Sequence, residues 1–269
     1  MFEVLDDRSL LEVSGSDSFK FLQNLITNDL TSSDYLYSYM LTNQGKYLFD
    51  FFVFKISDEK FLIDINKNQL SLFTTKLVMY KLRSNVVFID LSDTHKVVYS
   101  KNIIDFPSLI SRQDPRFSGL GTRSIIVKNG FKTTKENLYL DDKYNFAIID
   151  GYTDLIYEKS IPIEYGAEEL HAISYTKGCY IGQELISRTK YLGVVRKKIF
   201  HLYSDQELSH LSKNDEIIVD NVNIGIICSS YKNKAIALIR EERYSQLENK
   251  EINIGGSLAK LSVAAFRAK

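Results

Sequence analysis

The sequence predicts an α+β fold with a small all-β unit at its C-terminal end. Three observations carry that expectation. Between Ser14 and Ile89, strand-like and helix-like patterns alternate in an order that suits an antiparallel sheet covered by helices. After Gly193 the character changes to short β runs separated by tight-turn residues. At 269 residues the chain exceeds one typical domain and can bury a sizeable core.

The elements follow in order. Ser14-Gly15-Ser16-Asp17-Ser18 supplies helix-capping residues, and Phe19, Leu22, Leu25 and Ile26 recur at helical spacing. Thr27-Asn28-Asp29 is a polar stop for that helix. Residues 35–41 and 46–56 read as strands joined by Thr42-Asn43-Gln44-Gly45, with glycine where a positive φ is wanted. A turn at 57–60 leads to a strand at 61–65. Leu70, Phe73, Leu77 and Val78 then mark one face of a helix from about 68 to 82, and 86–89 is the next strand. This lobe is close to a ferredoxin-like arrangement. From about Asp105 to Thr122 the chain is loop-rich, and Pro115, Gly119 and Gly121 steer it into a strand at 124–127. A polar helix is expected around 135–149. The C-terminal strands are placed at 194–203, 216–219, 222–229, 235–239 and 258–264, with Asp220-Asn221 and Gly255-Gly256 as tight turns. They make a small barrel or sandwich. The division is a two-lobed region over 1–192, one lobe inserted at about 31–97, and a barrel domain over 193–269.

Composition narrows the class. Hydrophobic content of 44% and charged content of 25% are those of an ordinary soluble globular protein. A formal net charge of +0 argues against a protein that coats nucleic acid or an anionic membrane. No apolar run approaches a membrane span. The first residues, Met1 to Asp7, are acidic where a targeting peptide needs bases, so a cytoplasmic, bacterial-type location is expected. Cys179 and Cys228 lie far apart, which suits a reducing compartment. The four histidines are scattered, no Cys/His spacing resembles a closed zinc site, and no permanently bound metal is expected.

The chemistry is concentrated in Lys177-Gly178-Cys179-Tyr180-Ile181-Gly182-Gln183-Glu184. Two glycines with polar groups between them describe backbone on an unusual path, and at least one should need a conformation that other residues avoid. Residues 183–190 read as a short helix. A helix N-terminus together with Lys177 would stabilise a Cys179 thiolate and lower its pKa. The plainer reading, a buried structural thiol, is the commoner one for a lone cysteine. Cys228 sits inside a strand pattern and reads as core.

KGCYIGQE resembles the K-G-C-[FY]-x-G-Q-E signature of YgfZ-type proteins, which belong to the folate-binding superfamily of the glycine-cleavage T-protein. The longer run through Phe200 is most similar to the branch containing the mitochondrial iron–sulfur assembly factors of the Iba/Caf type. VSGSDSFKFLQNLITNDL, MLTNQGK, DPRFSGLGTR, IPIE and NVNIGIICSS…AIALIR resemble further segments of the family in the expected order. The resemblance implies a T-protein-like (aminomethyltransferase) fold of ferredoxin-like lobes plus a small C-terminal β-barrel. It also implies tetrahydrofolate in a cleft between the two N-terminal lobes, with Glu164 gripping the pterin and Asn28, Asp29 and Met40 as further contacts. Cys179 would be the reactive or cluster-contacting group, with Lys177 tuning it. Gln183 and Glu184 would anchor the loop or ligand, and Arg188 would pair with Glu184 or meet a folate carboxylate. Implied partners are iron–sulfur client enzymes or cluster carrier proteins. One departure matters: aminomethyltransferases carry an assisting aspartate after a strand, and the corresponding Ile63-Asp64-Ile65-Asn66-Lys67-Asn68-Gln69-Leu70 has none at that place. The leading expectation is a folate-binding maturation factor for iron–sulfur clusters. The alternatives are a folate-dependent aminomethyltransferase, an enzyme of one-carbon transfer, and a docking scaffold that binds no small molecule.

Overall fold

The computed structural model describes residues 2–102, 108–128 and 134–268; the start of the loop expected from Asp105 lies outside them. A short strand β1 (Glu3–Val4) precedes β2 (Arg8–Ser14) and helix α1 (Ser18–Leu25), which gives way to extended backbone at Ile26 before the polar stop. Tyrosine and phenylalanine crowd residues 35–54, and such side chains suit the pleated surface of a sheet. They form β3 (Tyr35–Leu41) and β4 (Tyr47–Ser57), with Gly45 at φ 65° in the turn between them. β5 (Lys60–Asn66), α2 (Leu70–Lys81) and β6 (Val87–Asp90) complete an antiparallel sheet in the order β3-β4-β5-β2-β6. Phe49, Phe51, Ile63 and Ile65 on one face share a core with Leu22 of α1 and Phe73 and Leu77 of α2. The lobe starts at β2, earlier than the residue 31 expected, because Arg8–Ser14 pairs along its whole length with β5. Arg8 and Glu12 break the apolar alternation of that strand, so its sequence pattern is weak.

The second sheet joins β7 (His95–Ser100), β8 (Ile110–Gln113) and β9 (Thr122–Val127) to the N-terminal strand in the order β1-β7-β9-β8. Helices α3 (Leu138–Phe146) and α4 (Gly151–Asp154) follow, then α5 (Gln183–Leu192), matching the helix expected after the cysteine motif. The C-terminal unit comprises β10 (Lys197–Tyr203), β11 (Glu216–Val219), β12 (Val222–Tyr231), β13 (Lys234–Arg240), α6 (Glu241–Gln246), β14 (Glu251–Ile254) and β15 (Ser257–Val263). Its strand order is β11-β12-β13-β10-β15-β14, and the two edge strands approach one another, so the sheet is nearly closed. Asp220, Asn221, Gly255 and Gly256 all have positive φ, as the two tight hairpins require. One apolar cluster unites the three parts, running from Tyr37 and Leu62 through Ile125 and Ile186 to Ile199 and Leu238.

A chain of buried charges runs along the same seam. Asp64 on β5 accepts from Arg8 at 2.6 Å and from Arg123 at 3.0 Å. Arg123 also reaches Asp114 at 3.1 Å, and Arg116 joins Asp114 to Asp150, both at 2.8 Å. Lys143 then binds Asp154 at 3.0 Å, and Asp154 accepts the hydroxyl of Ser229 on β12. The Arg123 guanidinium stacks 4.1 Å from the Phe52 ring. The segment that reads as loop-rich therefore leads into two fully buried charges, Arg116 and Arg123.

Removing one member leaves its partners charged, buried and unpaired. Arg123→Met is expected to destabilise the chain by about 3–5 kcal/mol in urea unfolding. Burial opposes ionisation of Asp114 and Asp150, but Arg116 and Arg123 beside the first, and Lys143 and Arg116 beside the second, hold both carboxyls below the usual range. Their contribution is present above the unfolded-state pKa and is lost as pH falls toward the folded one. Acid unfolding monitored by circular dichroism should therefore set in below about pH 4.

Candidate functional site

The cysteine loop is held from two sides. On one side Lys177 is buried, and its ammonium donates to the carbonyls of Gln23 (2.7 Å), Ile26 (2.8 Å) and Asn28 (2.7 Å). These carbonyls lie at and just beyond the C-terminal end of α1, where helical acceptors are left open. Three protons meet three acceptors, so none remains for the Cys179 sulfur, and Lys177 acts as a clamp on the loop. Burial pulls this ammonium down to about 8, with the Asp29 carboxylate opposing the shift. Neighbouring contacts repeat the attachment. Thr27 Oγ1 donates to Ala172 O at 2.7 Å, Asn28 Nδ2 to His171 O at 2.7 Å, and Ser174 N to Thr27 O at 3.0 Å.

On the other side the loop meets the β3–β4 turn. Gly182 has φ 84°, and a Cβ there would stand 2.5 Å from Thr42 O and 3.1 Å from the Gly45 Cα. Gly45 is confined less tightly from the other side, since its own Cβ would lie 3.1 Å from Gly182 O. The MLTNQGK turn and the KGCYIGQE loop thus interlock through two glycines. Between the anchors, Gly178 and Cys179 are exposed, while Tyr180 turns inward to the central core. Gln183 begins α5 and donates its N–H to Tyr180 O at 3.2 Å. Glu184 and Arg188 are both exposed, and the ion pair made from this helix runs instead from Lys190 to Glu168. Cys228 is buried in β12, where burial pushes its thiol well up.

Among the described clefts, only Glu164 of the four residues expected to hold folate is a lining residue. Asn28 is engaged by Tyr37 O and His171 O. Asp29 is partly buried, which would raise its pKa, but hydrogen bonds from Thr31 and Gln23 hold it below the usual range. Met40 lies in the core of the first lobe. Glu164 occupies a short turn, Pro162–Tyr165, and lines a cleft of about 770 Å³ with Val194, Arg196 and Arg240. That cleft borders the barrel unit and not the junction of the two lobes.

A different cleft lies where the first lobe, α4 and the barrel unit meet. It holds about 410 Å³ and is lined by Tyr47, Asn68, Gln69, Tyr152, Tyr157 and Lys213, among others. Asn68 and Gln69 belong to the 63–70 stretch, which has no aspartate at the place the resemblance expects. Asn68 Nδ2 donates to the Tyr152 hydroxyl at 3.2 Å, and Gln69 Nε2 to the Tyr47 hydroxyl at 3.1 Å. Lys213 donates to Leu155 O at 2.7 Å, and burial lowers its pKa. The resemblance singled out the 63–70 stretch, but no local pattern marks Tyr152 or Lys213. Among the described residues no group of three His, Cys, Asp or Glu is placed to hold a metal ion.

No family model matches the chain. It is 31% identical over 217 residues to the mitochondrial iron–sulfur cluster assembly factor IBA57 homolog of Pyricularia oryzae, covering 74% of this chain and 56% of that one. Against the mouse mitochondrial iron–sulfur cluster assembly factor IBA57 it is 26% identical over 276 residues, covering 88% and 77%. The Dictyostelium discoideum homolog is 27% identical, with 80% and 66% covered. The chain thus spans little more than half the length of the fungal relatives it matches. Among solved structures it resembles the glycine cleavage system aminomethyltransferase T of Bartonella henselae, with a TM-score of 0.71 at 13% identity, covering 98% of this chain and 85% of that one. The aminomethyltransferase T fold expected from the sequence is therefore the fold observed. The relatives are mitochondrial by name, which overturns the expectation of a cytoplasmic, bacterial-type protein.

The two motif glycines should separate cleanly on substitution. Gly182→Ala combines a left-handed φ with a backbone clash and should cost about 2–3 kcal/mol in urea unfolding. Nothing stands within 4 Å of a Cβ at Gly178, so Gly178→Ala should be within about 0.5 kcal/mol of wild type. Lys177→Met leaves three carbonyls unpaired and should cost about 2–3 kcal/mol. Equal effects at the two glycines would remove the interlock as the cause.

Proposed function

We propose that this chain is an iron–sulfur cluster assembly factor, acting in the mitochondrial compartment that its relatives' names give, and that Cys179 is the group it offers to a cluster. The observation that carries the reading is an exposed thiol on a loop clamped at both ends, in a chain similar over most of its length to IBA57-type assembly factors. A thiolate binds iron directly, but clusters are usually held by several cysteines together, and Cys228 is buried in the barrel unit. Cys179 therefore contributes one ligand while a carrier or client protein contributes the others.

The finer part of the proposal is tetrahydrofolate binding in the cleft of Tyr47, Asn68, Gln69, Tyr152, Tyr157 and Lys213. The residues fit such a ligand: tyrosine rings offer faces for flat heterocycles, the two amides offer donors and acceptors, and Lys213 suits a carboxylate tail. When bound, the folate would supply a carrier for one-carbon units. The 63–70 stretch that reaches this cleft has no aspartate at the place the resemblance expects, which favours binding over aminomethyl transfer.

Cys179→Ser, expressed in cells lacking the native copy, should abolish recovery of iron–sulfur enzyme activities while the protein accumulates normally. Full recovery would sink the thiol assignment. Calorimetry with tetrahydrofolate tests the other half. Lys213→Ala and Tyr152→Ala should each weaken binding about tenfold, Cys179→Ser should not, and unchanged affinity in both cleft variants would sink the cleft assignment. No binding by wild type would leave the scaffold reading in its place.

A further inference from the structure

Between Ile65 and Ile89 the chain has no acidic residue and four basic ones, Lys67, Lys76, Lys81 and Arg83, although its 34 acids and 34 bases balance overall. Helix α2 within this stretch is apolar on both sides. Phe73 and Leu77 are buried against the sheet, whereas Leu72, Val78, Met79 and Leu82 are 45%, 56%, 64% and 87% exposed. A helix with apolar residues on both sides is ordinarily a covered one, and among the described residues the outer side has no cover. Exposure rises along the helix and peaks at its end. There Leu82 adopts φ 46°, a left-handed conformation uncommon for a bulky residue, so the tip is held outward against local preference. Beside the tip, a groove of about 730 Å³ runs between α1 and the end of α2. It is lined by Phe21, Leu25 and Tyr80, with Lys20 and Arg83 as its bases. The carboxylate that also lines it, Asp17, already accepts the Asn85 N–H at 2.7 Å.

We propose that this face rests on an anionic phospholipid surface. Met79 and Leu82 insert among the acyl chains, while Lys20, Lys76, Lys81 and Arg83 meet the phosphate headgroups. A protruding apolar tip with four bases around it, and a single nearby carboxylate, Asp17, already engaged by a backbone N–H, is an arrangement that binds such a surface, because burial of the tip and attraction of the bases add. The neutral total charge does not oppose it, since the attraction acts within a Debye length and responds to the local patch. The association is peripheral; among the described residues no helix is long and apolar enough to cross a membrane.

Flotation of the full chain with phosphatidylcholine vesicles, with and without phosphatidylglycerol, tests the proposal. Binding is expected to the anionic vesicles and should fall steeply with added salt. The double variant Met79→Glu, Leu82→Glu should bind at least about tenfold more weakly. Its thermal unfolding should be unchanged, because both side chains are exposed. Equal binding to the two vesicle types, or full binding by the double variant, overturns the proposal. So does the case in which vesicles are ignored and the double variant instead loses a soluble protein partner, which would make the face a protein interface.

Discussion

The pairing of Arg123 with Asp64 and Asp114 is the constraint on which the rest of the molecule depends. One guanidinium ties β5 of the first lobe to the segment entering the second sheet, and Arg116, Asp150, Lys143 and Asp154 carry the connection on to Ser229 in the barrel unit. Buried ion pairs add little net stability compared with an apolar core of the same volume, but each is costly to break singly. Their contribution here is to orientation. The three parts cannot slide past one another without stranding a charge in the interior. Asp50 extends the same order to the cleft, since it accepts the hydroxyls of Tyr37 and Tyr47, both at 2.9 Å.

The cysteine loop uses the frame so fixed. Lys177 attaches it to the end of α1, and the Gly182–Gly45 contact attaches it to the β3–β4 turn. Both attachment points belong to the first lobe, whereas α5 sits beside Glu168 in the segment leading to the motif. A thiol presented this way has a defined place on the surface with little local freedom, and that lowers the ordering cost of meeting a partner.

Much of this was legible in the sequence where local physics decides. Gly45, Gly182 and the Asp220-Asn221 and Gly255-Gly256 pairs sit where the chain must turn with positive φ, and the helix after Gly182 followed from its apolar spacing. The C-terminal strands were readable from alternation, except β14, whose four residues are too short to stand out. What the sequence concealed depends on distant partners. Arg8 makes β2 look polar until Asp64, 56 residues away, is seen to accept from it. Lys177 reads as a base near a thiol until its three carbonyl partners, some 150 residues earlier, come into view. Asp114, Arg116 and Arg123 read as part of a loop-rich segment, and charged residues are rarely buried; pairing with one another and with Asp64 and Asp150 permits it. Net charge misled in the opposite sense, averaging away the acid-free stretch around α2.

The thiol and the proposed folate cleft share no lining residue, so their relation is set by the structure between them. The element that touches both is the β3–β4 turn. Gly45 abuts Gly182 in the cysteine loop, and Tyr47, two residues on, lines the cleft and hydrogen-bonds Asp50 and Gln69. A ligand pressing on the Tyr47 ring acts on the strand end that carries Gly45. The backbone there cannot yield independently, because Thr42 N is bonded to Lys46 O and Tyr47 N to Ser160 O, both at 2.9 Å. A displacement at the cleft would therefore be transmitted as movement of the whole turn. The turn's one tight neighbour at Gly182 is the loop bearing Cys179.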